Sequence, residues 1–426
     1  MTRRTFGALP LAAAAIPQAG TGIQRTMSAL ERGERVRILI YGQSITQQNW
    51  WKTVADDLKR RFPKSDCRVV NLAIGGYSTQ FLRRTIAHDV YPFYPDLTIF
   101  HDYGRDDQFE EMIAGIRSRT VSEVLILTDH VCWHPKFDAP DATKADRTSR
   151  EDKRSFETLP AIAAKYGCGI CDIRGAWYKE LEARGAAAAS LLRDAVHLND
   201  AGCDVYARAV NAALVRDAST ATDKTVVEIP VKWRRGRAEI EFDGNRVDAV
   251  ASVKGTGARV LIDGRPPSSY SELYSITRPS NTWCVDWPSI NRVSSDSPLL
   301  VEDWVLRCLE TVEDGSKCRF HVIGTETGFD GEGVTTERFV SRSGRVVIEP
   351  EDWVFQRAYS LRKIKMPSPF EVQWRVRPMF QDFWHGASPV LAQGLTNGPH
   401  RLTLIGDGSG TPPVTAVRAY RPPVKL

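Results

Sequence analysis

The sequence predicts an α/β domain built on a mostly parallel sheet, followed by a β-rich, sandwich-like domain. Three observations carry this expectation. In the first half, short runs rich in branched residues alternate with stretches whose apolar residues recur at helical spacing. Beyond residue 223 the helical spacing gives way to short alternating segments punctuated by turn residues. The 426 residues, 42% of them hydrophobic, suffice for two real cores at about 150 residues per domain. The expected boundaries are a leader at 1–20, the α/β domain at 21–223 and the β-rich domain at 224–426.

Segments 36–41, 67–72, 97–101, 124–128 and 169–173 are the candidate strands of the first half, and 50–62, 78–88, 108–117, 155–166 and 204–214 the candidate helices. Strands this poor in charge are expected to be covered on both faces. Such a sheet places its functional residues beyond the carboxyl ends of its strands. After the polar connector at 218–223, strands are expected at 238–242 and 247–250, joined at Asp243-Gly244, and at 260–262 before Asp263-Gly264. Further strands follow at 301–309, 346–348, 370–376 and 401–405. Trp283, Trp287, Trp304, Trp353, Trp374 and Trp384 are either core residues or a sugar-binding platform.

The leader carries Thr2-Arg3-Arg4-Thr5-Phe6, then an apolar run interrupted by Pro10 and Pro17. The run is too short to span a bilayer stably, and the paired arginines resemble a bacterial twin-arginine export signal. The expectation is therefore a bacterial protein that is exported, periplasmic or extracellular, with no stable membrane span. Fifty-seven Lys+Arg against 52 Asp+Glu give +5, which falls to +3 once Arg3 and Arg4 are removed. No dense basic patch remains, so nothing points to nucleic acid. Eight cysteines are too sparse for a disulfide-built fold. Cys168 and Cys171 form a CxxC, but within a strand-like run rather than at the start of a helix, which favours a structural role.

The strongest chemical signal is Gly42-Gln43-Ser44, immediately after the first strand. A serine is a weak nucleophile until a base takes its proton, and alone at this place it reads as a helix cap. Asp194-Ala195-Val196-His197 changes that reading, because Asp194 can orient the ring of His197 and leave its other nitrogen for Ser44.

With these segments in view, the stretch from about 35 to 215 resembles the SGNH, or GDSL-like, hydrolase family. Gly42-Gln43-Ser44 matches the first block, in a variant found among carbohydrate acetylesterase-like branches. Asn71-Leu72-Ala73-Ile74-Gly75-Gly76 resembles the second, Pro95-Asp96-Leu97 through Tyr103-Gly104-Arg105-Asp106-Asp107 the third, and Asp194-x-x-His197 the last. The resemblance implies a flavodoxin-like three-layer α/β/α domain in which Ser44 is the nucleophile, His197 the base and then acid, and Asp194 its orienter. It also implies an oxyanion hole formed by the backbone N–H groups of Ser44 and Gly76. The family's third-block asparagine, a further donor, aligns here with Asp106, whose carboxylate would repel an oxyanion. Either Asp106 is protonated or turned away, or Arg105 supplies the donor.

His101 and Asp102 follow the third strand, and His130 and His134 the fourth, where each could contact substrate or sit in a structural polar network. Asp129, His130 and His134 lack a second ligand set for a metal, and ester cleavage by a serine triad needs no metal or cofactor. The expected activity is removal of acetyl or another small acyl group from a carbohydrate. The alternatives are a lipid or aryl esterase, or a non-catalytic carbohydrate-binding envelope protein.

Overall fold

Short runs rich in branched residues and poor in charge build the five strands expected in the first half. A computed structural model describes residues 22–217, 224–251, 255–284, 287–386 and 388–425; the export-type leader and the 218–223 connector lie outside them. In chain order the first half runs α1 (Gln24–Glu31), β1 (Val36–Gly42), α2 (Ser44–Gln47), α3 (Trp50–Arg61), β2 (Cys67–Asn71), α4 (Thr79–Asp89), β3 (Leu97–His101) and α5 (Asp106–Arg119). It continues through β4 (Glu123–Leu127), α6 (Ala142–Lys153), α7 (Leu159–Tyr166), β5 (Gly169–Cys171), α8 (Ile173–Arg184) and α9 (Asp200–Ala213). The strands pair in parallel in the order β2-β1-β3-β4-β5, the flavodoxin-like order.

Side chains alternate across this sheet, and both faces are packed with buried apolar residues. Ile38, Ile40, Ile99 and Leu125 meet Val54, Leu58, Trp177 and Val205 of α3, α8 and α9. Leu39, Tyr41, Phe100 and Ile126 meet Leu82, Phe109, Met112 and Leu159 of α4, α5 and α7. The chain leaves β1 for β2 on one side and places β3 on the other, so the turn after β1 opens at the switch point where such sheets bind ligands.

The second half is antiparallel. Its elements are β6 (Val226–Pro230), β7 (Arg237–Ala251), β8 (Ala258–Ile262), β9 (Tyr274–Ile276), β10 (Asp303–Thr311), β11 (Cys318–Gly324), β12 (Gly328–Val334), β13 (Phe339–Val340) and β14 (Val347–Ile348). Then come α10 (Phe355–Arg362), β15 (Phe370–Pro378), β16 (Phe383–Trp384), β17 (Val390–Gly406) and β18 (Val414–Tyr420). A six-stranded sheet, β16-β8-β17-β7-β18-β6, is left after β8 and rejoined at β16; the intervening chain builds a five-stranded sheet, β12-β11-β10-β15-β9. The six-stranded sheet has its own apolar cluster around Ile240, Val260, Leu402 and Val417. Trp304, Leu306, Val372 and Trp374 of the five-stranded sheet join the cluster that covers the α4 and α5 side of the first half.

One turn expected from the sequence is absent. Asp243-Gly244 does not close a hairpin, because β7 runs through it and only its register against β17 shifts there, between Gln393 and Gly398. Asp263-Gly264 is a turn, closed by Ile262 and Arg265 exchanging N–H to carbonyl bonds of 2.8 and 2.9 Å. Of the six tryptophans, Trp287, Trp304, Trp374 and Trp384 are buried, while Trp283 and Trp353 are half-buried against Phe355.

Polar anchors fix the seam between the halves. Arg278 donates to both carboxylate oxygens of Asp89 at 2.9 and 2.7 Å and to the Leu72 carbonyl at 3.1 Å. The Tyr77 hydroxyl donates to Asn291 Oδ1 at 2.8 Å, and Arg84 pairs with Asp352. A buried charge pair of this kind contributes little net stability but is costly to break, so it fixes geometry. No helix among the described residues is long and apolar enough to cross a membrane.

Candidate active site

Gly42 ends β1 where only a glycine fits. Its φ is +150°, and a Cβ there would lie 2.0 Å from the His101 carbonyl oxygen of the adjacent β3. The chain can therefore turn sharply into Gln43, whose Oε1 accepts the Ile45 N–H at 2.9 Å and caps α2. Ser44 follows as the first residue of α2. Two bonds tie the end of β2 to this turn: Ile74 N–H to the Gly42 carbonyl and Asn71 Nδ2 to the Thr46 carbonyl, each 2.9 Å.

A second tight turn carries the late pair. Leu192 and Leu198 bridge, and Arg193 N–H reaches the His197 carbonyl at 2.9 Å. Inside the turn, Asp194 Oδ1 accepts the N–H groups of His197 and Val196 at 2.8 and 2.9 Å. These two donors, and then the His197 ring, hold the Asp194 carboxyl well below the usual carboxylate range, so it stays an acceptor. Asp194 Oδ2 stands 2.9 Å from His197 Nδ1, which places the ring proton on Nδ1 and leaves the Nε2 lone pair free. Nε2 stands 3.0 Å from Ser44 Oγ across 153 residues of chain. Gln48, capping the other end of α2, donates to the Leu198 carbonyl at 2.9 Å and accepts its N–H at 3.0 Å.

Beneath Ser44 runs a buried polar chain. The serine hydroxyl has a second acceptor in reach, Gln43 Oε1 at 2.9 Å. Because that oxygen faces Ile45 N–H, Gln43 Nε2 faces His101 Nδ1 at 3.1 Å and donates to it. His101 Nε2–H then donates to Asp129 Oδ1 at 3.1 Å, and Arg154 reaches both oxygens of Asp129 at 2.9 Å. Burial opposes the Asp129 charge, but Arg154 and His101 outweigh it and hold the carboxyl at about 2.

Several residues expected at the substrate surface lie elsewhere. His101 and Asp102 are fully buried, His130 and His134 nearly so, and none of the four has a surface from which to touch substrate. Asp102 accepts the Tyr103 N–H at 2.8 Å, and burial pushes its carboxyl well above the usual range. His130 donates from Nε2 to the Val196 carbonyl at 2.8 Å and accepts the Tyr103 hydroxyl at 3.2 Å; burial holds it at about 3. His134 accepts the Lys136 N–H at 3.2 Å. Arg105 and Asp106 each have a charged partner. Arg105 is exposed and paired with Asp107 at 2.6 Å, while Asp106 pairs with Arg154 at 2.6 Å.

An open cleft of about 1140 Å³ lies over Ser44 and His197. The amides of Gln43, Gln47, Gln48, Asn49 and Asn199 line it, with Arg193, Asp200, Asp204, Tyr103 and the Gly75-Gly76 turn. Arg362, from α10 of the second half, completes one wall. Gly76 has φ +84°, and a Cβ there would lie 2.9 Å from the Trp287 ring.

The chain is similar to several solved esterases and to a further hydrolase. The acetylxylan esterase Axe2 of Geobacillus stearothermophilus matches at 17% identity over 43% of this chain and 95% of that one, with a TM-score of 0.37. A two-domain esterase, CEX, active on acetylated mannans, matches at 14% over 95% of this chain and 96% of that one, with a TM-score of 0.37. LAE5, an alpha/beta hydrolase enzyme from the metagenome of Lake Arreo, Spain, matches at 23% over 42% and 94%, with a TM-score of 0.36. No family model and no curated protein matches the chain.

Sequence reasoning missed the residues that hold the site together. Gln48 stood within the amide run Gln47-Gln48-Asn49 directly after the first block, which was a usable signal. Arg154 carried no local signal, and Trp287 was marked only as a core or sugar-platform residue. Cys168 and Cys171 are both buried at β5, and burial raises the Cys168 thiol to about 12, which leaves it inert as a nucleophile.

Proposed function

We propose that this chain is an exported serine esterase of the SGNH type that removes acetyl or another small acyl group from a carbohydrate. The hydrolase part spans 21–223, the β-rich part 224–426, and 1–20 is the export leader. One observation carries the reading: Ser44 Oγ, His197 and Asp194 form a continuous relay, with the ring nitrogens 3.0 and 2.9 Å from hydroxyl and carboxylate.

The chemistry follows from that relay. His197 Nε2 takes the Ser44 proton as Oγ attacks the acyl carbonyl, and the anion of Asp194 stabilises the imidazolium that forms. The N–H groups of Ser44 and Gly76 donate to the oxygen on which negative charge develops. The tetrahedral adduct collapses when His197 protonates the departing sugar oxygen, leaving an acyl ester on Ser44. Water enters, gives its proton to the same nitrogen, and hydrolysis releases the acid and restores the hydroxyl.

The cleft lining favours a hydroxyl-rich substrate over a lipid. The exposed amides of Gln47 and Asn49, with Arg193, Asp200 and Asp204, present donors and acceptors suited to sugar hydroxyls, whereas a long acyl chain would need a broad apolar wall. Acyl release is measured by mass spectrometry on acetylated glycans beside a series of aryl esters of increasing chain length. Acetyl release from glycans, with activity falling as the chain lengthens, is the expected result. Preference for long chains supports a lipid or aryl esterase, and glycan binding without release by a folded protein supports a binding protein.

A further inference from the structure

The Gly75 carbonyl and the Gly76 N–H are opposite ends of one planar peptide unit, so whatever fixes the oxygen fixes the direction of the N–H. That oxygen is held from the second half of the chain. The indole N–H of Trp287 donates to Gly75 O at 2.7 Å, and an Arg362 guanidinium N–H donates to it at 3.3 Å. The next carbonyl, Gly76 O, accepts from Arg357 at 2.5 Å. Packing locks these donors in place. Arg362 lies 4.7 Å over the Trp287 ring, Arg357 lies 3.9 Å over Phe81, and Tyr77 meets Trp287 edge-on at 5.3 Å. On the side of the nucleophile, Gln47 Oε1 lies 2.5 Å from where a Gly75 Cβ would be.

We propose that Trp287 and Arg362 are positioning residues for the oxyanion hole, so that the β-rich half completes the catalytic centre. The proposal rests on the reading of Gly76 N–H as an oxyanion donor. Two adjacent glycines resist rotation of their shared peptide poorly, and a flip would present a carbonyl oxygen where a donor is needed. Rotation away from the observed plane breaks both bonds to Gly75 O. The same two bonds polarise the amide and strengthen its N–H as a donor. The effect belongs to the transition state, because the N–H meets full negative charge only there.

The experiment uses the full chain and p-nitrophenyl acetate, with thermal midpoints recorded beside kcat and KM. Trp287→Phe keeps the ring and removes its donor; Arg362→Met keeps the stem and removes the charge; Arg362→Lys restores one donor. Trp287→Phe and Arg362→Met are each expected to lower kcat about 10-fold with KM little changed, below the roughly 100- to 1,000-fold that deleting an oxyanion donor costs. Arg362→Lys is expected to recover most of the loss. Ser44→Ala runs alongside. Loss of turnover in Ser44→Ala with wild-type kcat in folded Trp287→Phe and Arg362→Met overturns the positioning role and leaves the esterase reading standing. Full turnover in Ser44→Ala overturns both. If Trp287→Phe does not fold, Arg362→Met against Arg362→Lys decides the matter, since Arg362 is only half-buried.

Discussion

Gln48 grips Leu198 at both of its backbone polar groups, donating to the carbonyl at 2.9 Å and accepting the N–H at 3.0 Å. This joins the end of the helix that begins with Ser44 to the residue after His197. A sheet order brings two turns to the same end of a fold, but it does not set a 3 Å contact. In this chain an amide does so, aided by His130 on the Val196 carbonyl.

Gln48→Leu leaves both Leu198 groups unpaired at a residue only 1% exposed. The expected cost is about 1–3 kcal/mol of stability in urea unfolding. Turnover should fall further than stability suggests, by about 10- to 100-fold in kcat, because a displacement of about 1 Å is enough to spoil proton transfer.

Gly76→Ala meets two obstacles, a φ of +84° and the Trp287 ring 2.9 Å from the new Cβ. The conformational part alone costs about 1–2 kcal/mol. Relief by moving the turn carries the Gly76 N–H away from the cleft, so kcat on an acetyl ester should drop about 100-fold or more while KM changes little.

Asp129→Asn strips Arg154 of its buried partner, the two side chains being 1% and 11% exposed. Such a loss costs about 3–5 kcal/mol and should change little with added salt. Arg105→Ala makes the contrast. Its guanidinium is paired with Asp107 in solvent, and both stability and turnover should remain at wild-type level. A large loss of kcat in Arg105→Ala would restore it as an oxyanion donor.

What was legible in the sequence was local or periodic. The strands β1 and β3 were readable because both faces are largely buried and their residues are mostly branched or aromatic, with Arg37 the one formal charge. Helix α6 was not, since Thr148 is its sole buried residue and no apolar stripe marks it. Asp243-Gly244 was misleading because β7 takes its partner from β17, about 150 residues on, and that pairing outweighs a local turn signal. The closeness of Asp194 and His197 was readable from their spacing, whereas the approach of Ser44 was expected only from a family resemblance. The bond from Trp287 to Gly75 was not readable, because it spans 212 residues. Asp106 aligned by counting with an oxyanion donor, yet its carboxylate is paired with Arg154, 48 residues on.

Acid should loosen the seam between the halves through His88 and the first half itself through His130. Burial lowers His88 from 6.5 to about 4 and His130 to about 3. As both folded values lie below the unfolded one, the unfolded chain binds protons first as pH falls. The stability these residues contribute is whole above about 6.5 and is lost progressively toward 4 and below. His88 donates to the Ile276 carbonyl at 2.9 Å and accepts the Val293 N–H at 3.1 Å, so a second ring proton would oppose Val293. Asp89 favours that proton, and Arg292 and Arg278 oppose it. Denaturation midpoints measured from pH 8 to pH 4 should show the decline, with a shallower slope in His88→Gln.

The convergence of an early serine with a late Asp-x-x-His turn is tested most directly by labelling the full chain with a fluorophosphonate and locating the adduct by peptide mass. The account predicts a single adduct on Ser44, absent in Ser44→Ala and formed far more slowly in His197→Ala. An adduct on another residue, or undiminished labelling and turnover in Ser44→Ala, would contradict it.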